Sequence, residues 1–450
     1  MGVTRNALAG LGFDQDAPMV VFPIAPFLVD SDLEPVRARL DEVEAGLTAW
    51  KPASDRLGVQ TPPPVTVEAN GYEAAYDRVN TLFLANAWGD GLPLVAPTAE
   101  RVARTLRGSD RPADAVVGKV MPRGGIATVE TLAVALTMAG GRPEHLPLLL
   151  AAVEAILDPA LDHDKFQATS GSTFPVVVVN GPVAEEARLN SGFGLLGPDP
   201  RHPAGATVGR ALRLVLQNVG GALPGTGSMA IFGGMRYTNA VFAEDEAGLP
   251  PGWEPVSVEH GGMARGANAV TVFVATSASN VMRRGIGKET LIDEAEQSLE
   301  RVARYLCAPN GHYGRNHADG TPGALLMPSV VARQLTELGW TSKQAVRERL
   351  WASSHIPRQV LRETGIWQWI EAEPTAEAKA SLALDPWPIC ARPEQILLVV
   401  AGGAHPTHNF WMQSWGSRVV SRPIELPACW NLLIAEADAE LGPRGDVCRI

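Results

Sequence analysis

Residues Phe174–Pro182 read FPVVVVNGP, an unbroken apolar, β-branched run closed by Asn-Gly-Pro. A strand with one face in water alternates apolar and polar side chains. This one does not, so the pattern predicts a strand covered on both faces, as in a parallel sheet under helices. Two further runs have the same character: AVTVFVATS from Ala269 and QILLVVAGG from Gln395. Between them lie helical patterns. YEAAYDRVNTLFLANAWG and KETLIDEAEQSLERVARYLC are amphipathic, AERVARTLRG starts after the natural N-cap Thr98, and ATVGRALRLVLQNVGG stops at two glycines. Strands alternating with helices predict an α/β fold with mostly buried sheets.

The same strand, helix, helix order recurs. DAVVGKVMP, the helix expected from about Thr128 and RPEHLPLLLAAVEAILDP are echoed by GALLMPSVVARQLTELGW and TSKQAVRERLW. The chain is therefore expected to hold two related α/β lobes, over 76–275 and 276–450, through an internal duplication. Residues 1–75 are read as an irregular opening with one helix (DLEPVRARLDEVEAGLTAW), a strand broken by Pro23 and Pro26, and a linker from Thr61 to Gly71.

Composition restricts function by exclusion. The 450 residues carry a formal net charge of −11 and no block of Lys or Arg, so nucleic acid and anionic lipid are not expected partners. No stretch offers the roughly 18 uninterrupted apolar residues of a membrane span. MGVTRNALAGLGFDQD has no apolar run fit for a signal peptide, and the four cysteines are scattered without C-x-x-C. A cytoplasmic protein with free thiols and no zinc ribbon is the expectation. Self-association is also expected, and Phe22, Phe27 and Trp50 would suit an interface.

Most chemical fingerprints fail. There is no phosphate-binding G-x-x-x-x-G-K-[ST] and no G-x-S-x-G elbow, and HGG at His260–Gly262 reads as a turn. GTGSMA (Gly225–Ala230) matches the loose dinucleotide pattern but follows no strand. His405 and His408 form H-x-x-H after a buried strand, without an acid or cysteine nearby to complete a metal set. They are either loop residues rimmed by Phe410 and Trp411 or ligands of a metal ion.

The glycine-rich junctions carry the remaining candidates. In AWGDGLPLVAPT, Trp88 can wall a pocket and Gly91 can let a ligand approach the backbone. Asp90 serves as acid, base or cation partner, or else caps neighbouring N–H groups of a turn. Arg123, Gly124 and Gly125 are expected to lead a strand into a helix N-terminus near Thr128, forming an anion cradle or a plain tight turn. Glu130, one turn into that helix, is a general base or a capping partner. Thr169 and Ser170 form a hydroxyl-rich turn, and Asn180 ends the VVVVNG strand, where α/β sheets place ligands.

GDGLPLVAPTAERV, VMPRGGIATVETLAVALTMAGGRPEHLPLLLAAVEA, VVVVNGP, NSGFGLLGP and ATVGRALRLVLQNVGG together resemble a poorly characterised bacterial family associated with UGSC-type (seleno)proteins. Its members carry a segment close to W-T-D-G-L-P-V-V-P-P-T. The resemblance spans roughly residues 72–275 and extends more weakly to about 440. It implies that Trp88, Asp90, Arg123, Gly124, Thr128, Glu130, Asn180, Asn190, Ser191 and Arg210 line a shared loop set. It also implies thiol or selenol redox chemistry at a Cys or selenocysteine preceding Gly-Ser-Cys. This chain lacks that motif; SWGSR (Ser414–Arg418) carries no thiol.

These readings converge on an enzyme acting on a small carboxylate or phosphate by acid/base chemistry, of lyase or hydrolase type, with no organic cofactor. Asp90 and Glu130 are the acid/base candidates and Arg123 and Arg210 the anion clamps. The alternatives are an oxidoreductase and a non-catalytic small-molecule binding protein.

Overall fold

The computed structural model describes residues 17–22, 31–51, 64–233, 240–282, 299, 302–304, 306–307, 313–405, 408–442 and 444. Most of the helix expected over 288–307 lies outside them, as do Pro23, Pro26 and Phe27. The fold is α/β. A hairpin of β1 (Val116–Val120) and β2 (Gly125–Thr128) stands apart from a seven-stranded mixed sheet. That sheet contains β3 (Phe174–Asn180), β4 (Ala240–Ala243), β5 (Ala269–Met282), β6 (Gly323–Met327), β7 (Ile396–Val400), β8 (His408–Ser414) and β9 (Val420–Pro423). Its order is β4-β3-β5-β8-β6-β7, with β9 alongside the first part of β5.

Read from either end, this order repeats its strand senses. β3 runs parallel to β4 and antiparallel to β5; β6 runs parallel to β7 and antiparallel to β8. β5 and β8 pair antiparallel in the middle. The two stretches expected as lobes thus share one sheet, and residue 275 falls inside β5. The counterpart of β6 in this arrangement is β3 rather than β1, which corrects the segment alignment read from the sequence.

The non-alternating runs do what their pattern requires. In β3, Val176 and Val178 face one core while Val177 and Val179 face another. In β7, Leu397 and Val399 turn inward while Ile396, Leu398 and Val400 turn outward. The inner core draws on both halves, joining Phe242 and Phe273 to Leu326, Leu397 and Met412. The sheet curls so far that its edges meet: the Asp245 N–H beyond β4 donates to the Val400 carbonyl at 2.7 Å.

Helices cover the outside. α1 (Leu40–Thr48) and α2 (Tyr72–Ala85) precede the sheet, and α3 (Ala99–Leu106) starts at Thr98, whose hydroxyl accepts the Arg101 N–H. α4 (Val129–Met138), α5 (Leu146–Ile156) and α6 (Ala204–Leu214) pack on the first half. Every residue of α5 except Glu154 is buried. α7 (Val256–Gly261) sits near the strand ends, α8 (Ser329–Glu337) and α9 (Lys343–Ala352) cover the second half, and α10 (Trp430–Leu441) closes the fold. Among the described residues no helix is long and apolar enough to cross a membrane.

Candidate functional site

The glycine-flanked acid proves to be half of a clasp. Asp90, 2% exposed in its side chain, receives a fork from α6: Arg210 Nε donates to Oδ2 at 2.6 Å and Nη2 to Oδ1 at 2.9 Å. Arg210 also reaches the Pro93 carbonyl at 3.0 Å, and the Leu92 N–H donates to Oδ1. Gln217 and Asn218 hold the Gly89 and Trp88 carbonyls at 2.7 and 2.8 Å. Gly91 takes φ +92°, and the Trp88 ring stays 40% exposed. Burial opposes ionisation of Asp90, but the Arg210 fork and the Leu92 N–H outweigh it and hold the carboxyl below its usual range. That is opposite to the raised value a general acid needs near neutrality. Arg210, expected as an anion clamp, spends its fork on Asp90.

The other glycine junction also differs from expectation. The strand does not run through Arg123 into a helix; it turns at Arg123–Gly124 into β2, and the helix begins only at Val129. The N–H groups of the expected cradle are used internally, Arg123 N–H by the Gly220 carbonyl and Gly124 N–H by Val120. A Cβ on Gly125 would lie 2.2 Å from the Val219 carbonyl oxygen, so glycine answers there to packing. Thr128 caps α4 reciprocally with Thr131, and Glu130 is exposed in the first turn. Thr169 Oγ1 accepts the Gly171 N–H, and the Ser170 carbonyl accepts the Ile231 N–H. Among the described residues no hydrogen bond or ion pair joins the Arg123 or Glu130 side chain to Asp90. GTGSMA forms a turn bridged between Pro224 and Ser228 and leads into no helix through residue 233, while His260 and Gly261 end α7 and Gly262 caps it.

What the fold does bring together lies at the carboxyl ends of its two parallel strand pairs. Asn180, 1% exposed at the end of β3, donates through Nδ2 to Glu244 at 2.9 Å and to Glu246 at 3.1 Å. Glu244 is buried completely and paired with Lys343 of α9 at 2.9 Å. Lys343 lies 3.5 Å from Glu259, which Arg347 grips with both terminal nitrogens. Burial, with Arg347 and Lys343 nearby, pushes the neighbouring His260 imidazole down to about 3. Asn190 and Ser191 then bridge the sheet edges: Ala243 N–H donates to the Asn190 carbonyl and Gly402 N–H to that of Ser191. The Asn190 side chain folds the next loop by binding Gly192 N–H and the Phe193 carbonyl.

Beyond this bridge, at the ends of β6 and β7, opens a cavity of about 550 Å³. Its walls are mostly apolar, with Phe193, Leu195, Leu326, Ala401 and Phe410, and both His405 and His408 line it. The histidines' Nδ1 atoms lie 3.1 Å apart with the rings at 85°. Such a contact needs one ring to donate and the other to accept. Two imidazole nitrogens at this spacing also fit around one metal ion, yet among the described residues no group of three or more His, Cys, Asp or Glu forms a cage.

Asn180, Asn190, Ser191, His405 and His408 are the sequence candidates that fall at these strand ends. Sequence reasoning missed Phe193, Glu244, Glu246, Lys343 and Arg347; nothing in SKQAVRERL marks Lys343 as buried rather than solvated. Gly403 tests the pocket. A Cβ there would stand 2.1 Å from the Phe193 ring, so Gly403→Ala is expected to displace that ring. Ligand affinity should fall several-fold while the melting temperature stays near the parent's. An unchanged affinity would remove Phe193 from the site. A scan of protein-family models finds none that matches the chain, and searches of curated proteins and of solved structures find no match either.

Proposed function

We propose that this chain is an enzyme acting on a small carboxylate-bearing molecule with an apolar body, bound in the cavity at the ends of β6 and β7. The observation that carries this reading is the Nδ1–Nδ1 histidine pair on the wall of an apolar pocket of ligand size. The apolar walls bury the body of the substrate. One imidazole exchanges a proton with the reacting group while its neighbour steadies the charge through the Nδ1 contact. Chemistry of lyase or hydrolase type fits such a pair, which takes the acid/base role that composition and loop motifs suggested for Asp90 and Glu130. Thiol chemistry draws less support: burial pushes the Cys307 thiol up to about 11 and raises Cys390 further. A cytoplasmic location and self-association belong to the same proposal, and fractionation and native mass test them.

The function is tested by screening aliphatic and aromatic carboxylic acids, their hydroxy acids and their esters, first for thermal stabilisation and then for turnover. With a turned-over hit, His408→Asn should lower kcat by about a hundred-fold and leave KM within a few-fold. A hit that binds and is never converted would make the chain a binding protein. Equal turnover in His405→Asn, His408→Asn and the parent would sink the reading.

A further inference from the structure

The first half of the sheet has its own cleft in the corresponding place. At the carboxyl ends of β3 and β4 a space of about 480 Å³ opens, and charged side chains stand among the small and apolar residues of its wall. On the side of α10, Arg188 and Arg444 share one carboxylate, Asp438, at 2.8 and 3.1 Å. Two guanidinium charges facing one carboxylate leave a positive excess. Arg188 is 9% exposed and takes φ +58°, a left-handed conformation strained for any residue but glycine. Its Nη2 also binds the Gly442 carbonyl, while its Nε is buried with no partner among the described residues. A buried guanidinium N–H without an acceptor is costly and marks a place where an acceptor belongs.

At the strand ends the imbalance has the opposite sign. Glu246 Oε1 accepts the Gly181 N–H at 2.6 Å and Asn180 Nδ2 at 3.1 Å, both neutral donors. No cation pairs with it among the described residues. Asp245 adds a second carboxylate there, accepting the neutral Gly248 N–H. Glu244 is compensated by Lys343, and Arg201 and His202 both bind Asp199. Glu185 is exposed.

We propose that this cleft binds a zwitterion of the α-amino-acid class, its carboxylate received by Arg188 and Arg444 and its ammonium by Glu246. A carboxylate supplies the planar acceptor a guanidinium fork recognises, and an ammonium supplies the charge Glu246 lacks. The volume suits a single amino acid with some water. The cleft is separate from the histidine pocket and does not depend on the function proposed there.

The test is a thermal-shift screen of the twenty L-amino acids on the full chain, followed by calorimetry on the best binder, its amide and its N-acetyl derivative. Removing either charge from the ligand should weaken binding about ten-fold or more. Arg188 is tied to the fold through Asp438, so Glu246 and Arg444 carry the mutational arm. Glu246→Gln should abolish the preference for the free ammonium, and Arg444→Gln should weaken the parent acid while leaving its amide unchanged. His408→Asn should bind the amino acid as the parent does. The proposal is overturned if no amino acid gives saturable binding, if the amide or the N-acetyl derivative binds as tightly as the parent, or if both variants keep wild-type selectivity.

Discussion

Lys343→Met is expected to lower folding stability by about 3–5 kcal/mol, measured by urea denaturation at neutral pH. The side chains of Lys343 and Glu244 are 1% and 0% exposed. Glu244 accepts four hydrogen bonds, from Lys343 Nζ, Asn180 Nδ2, Val256 N–H and, at 3.3 Å, Val400 N–H. Those donors come from the ends of β3 and β7 and from α7 and α9, so one carboxylate pins both parallel strand pairs and two helices. Methionine fills the volume of lysine but leaves a buried carboxylate with neutral donors only. Glu244→Gln combined with Lys343→Met removes both charges and should recover most of the loss, since a buried ion pair is worth little against a neutral pair of similar shape. A single-variant cost below about 1 kcal/mol would mean that water or rearrangement compensates Glu244.

How much of this was visible in the chain depends on the physical signal each feature leaves. β3, β5 and β7 are legible because a strand covered on both faces does not alternate, and their apolar runs are short and rich in β-branched residues. β4 has four residues, too few for a period. β8, HNFWMQS, mixes polar and apolar side chains because part of it borders a cavity rather than a packed core. β2 is hidden by its own start: Gly124 and Gly125 look like the entry to a helix when Gly124 ends the hairpin turn and Gly125 opens the strand. The halves repeat a strand order and sense, a likeness that demands no residue identities. Asn180, His405 and His408 stand out as candidates in the sequence because they follow buried strands at glycine turns, and the fold does place them at strand ends. Lys343 was not, since a buried lysine and a solvated one look alike until the partner 99 residues away is known.

The same limitation governs the segment around Asp90, whose partner lies 120 residues along the chain. Arg210→Met is expected to cost about 3 kcal/mol or more, because it strands a carboxylate that is 2% exposed and frees the Pro93 carbonyl. The pH dependence separates this from a packing defect. Asp90 has a depressed folded-state pKa, so its contribution is fully present above the unfolded value of about 4 and is lost as pH falls through the lower folded value. Parent and variant should therefore differ most near neutrality and converge below about pH 4. Parallel stability curves across that range would show that Arg210 acts through its aliphatic stem and not through the ion pair. Asp90→Asn adds the functional arm. The amide keeps the shape of the clasp and loses the charge, so turnover in the histidine pocket should persist in protein that remains folded. Loss of turnover with an intact fold would return Asp90 to the chemistry that its place between two glycines suggests.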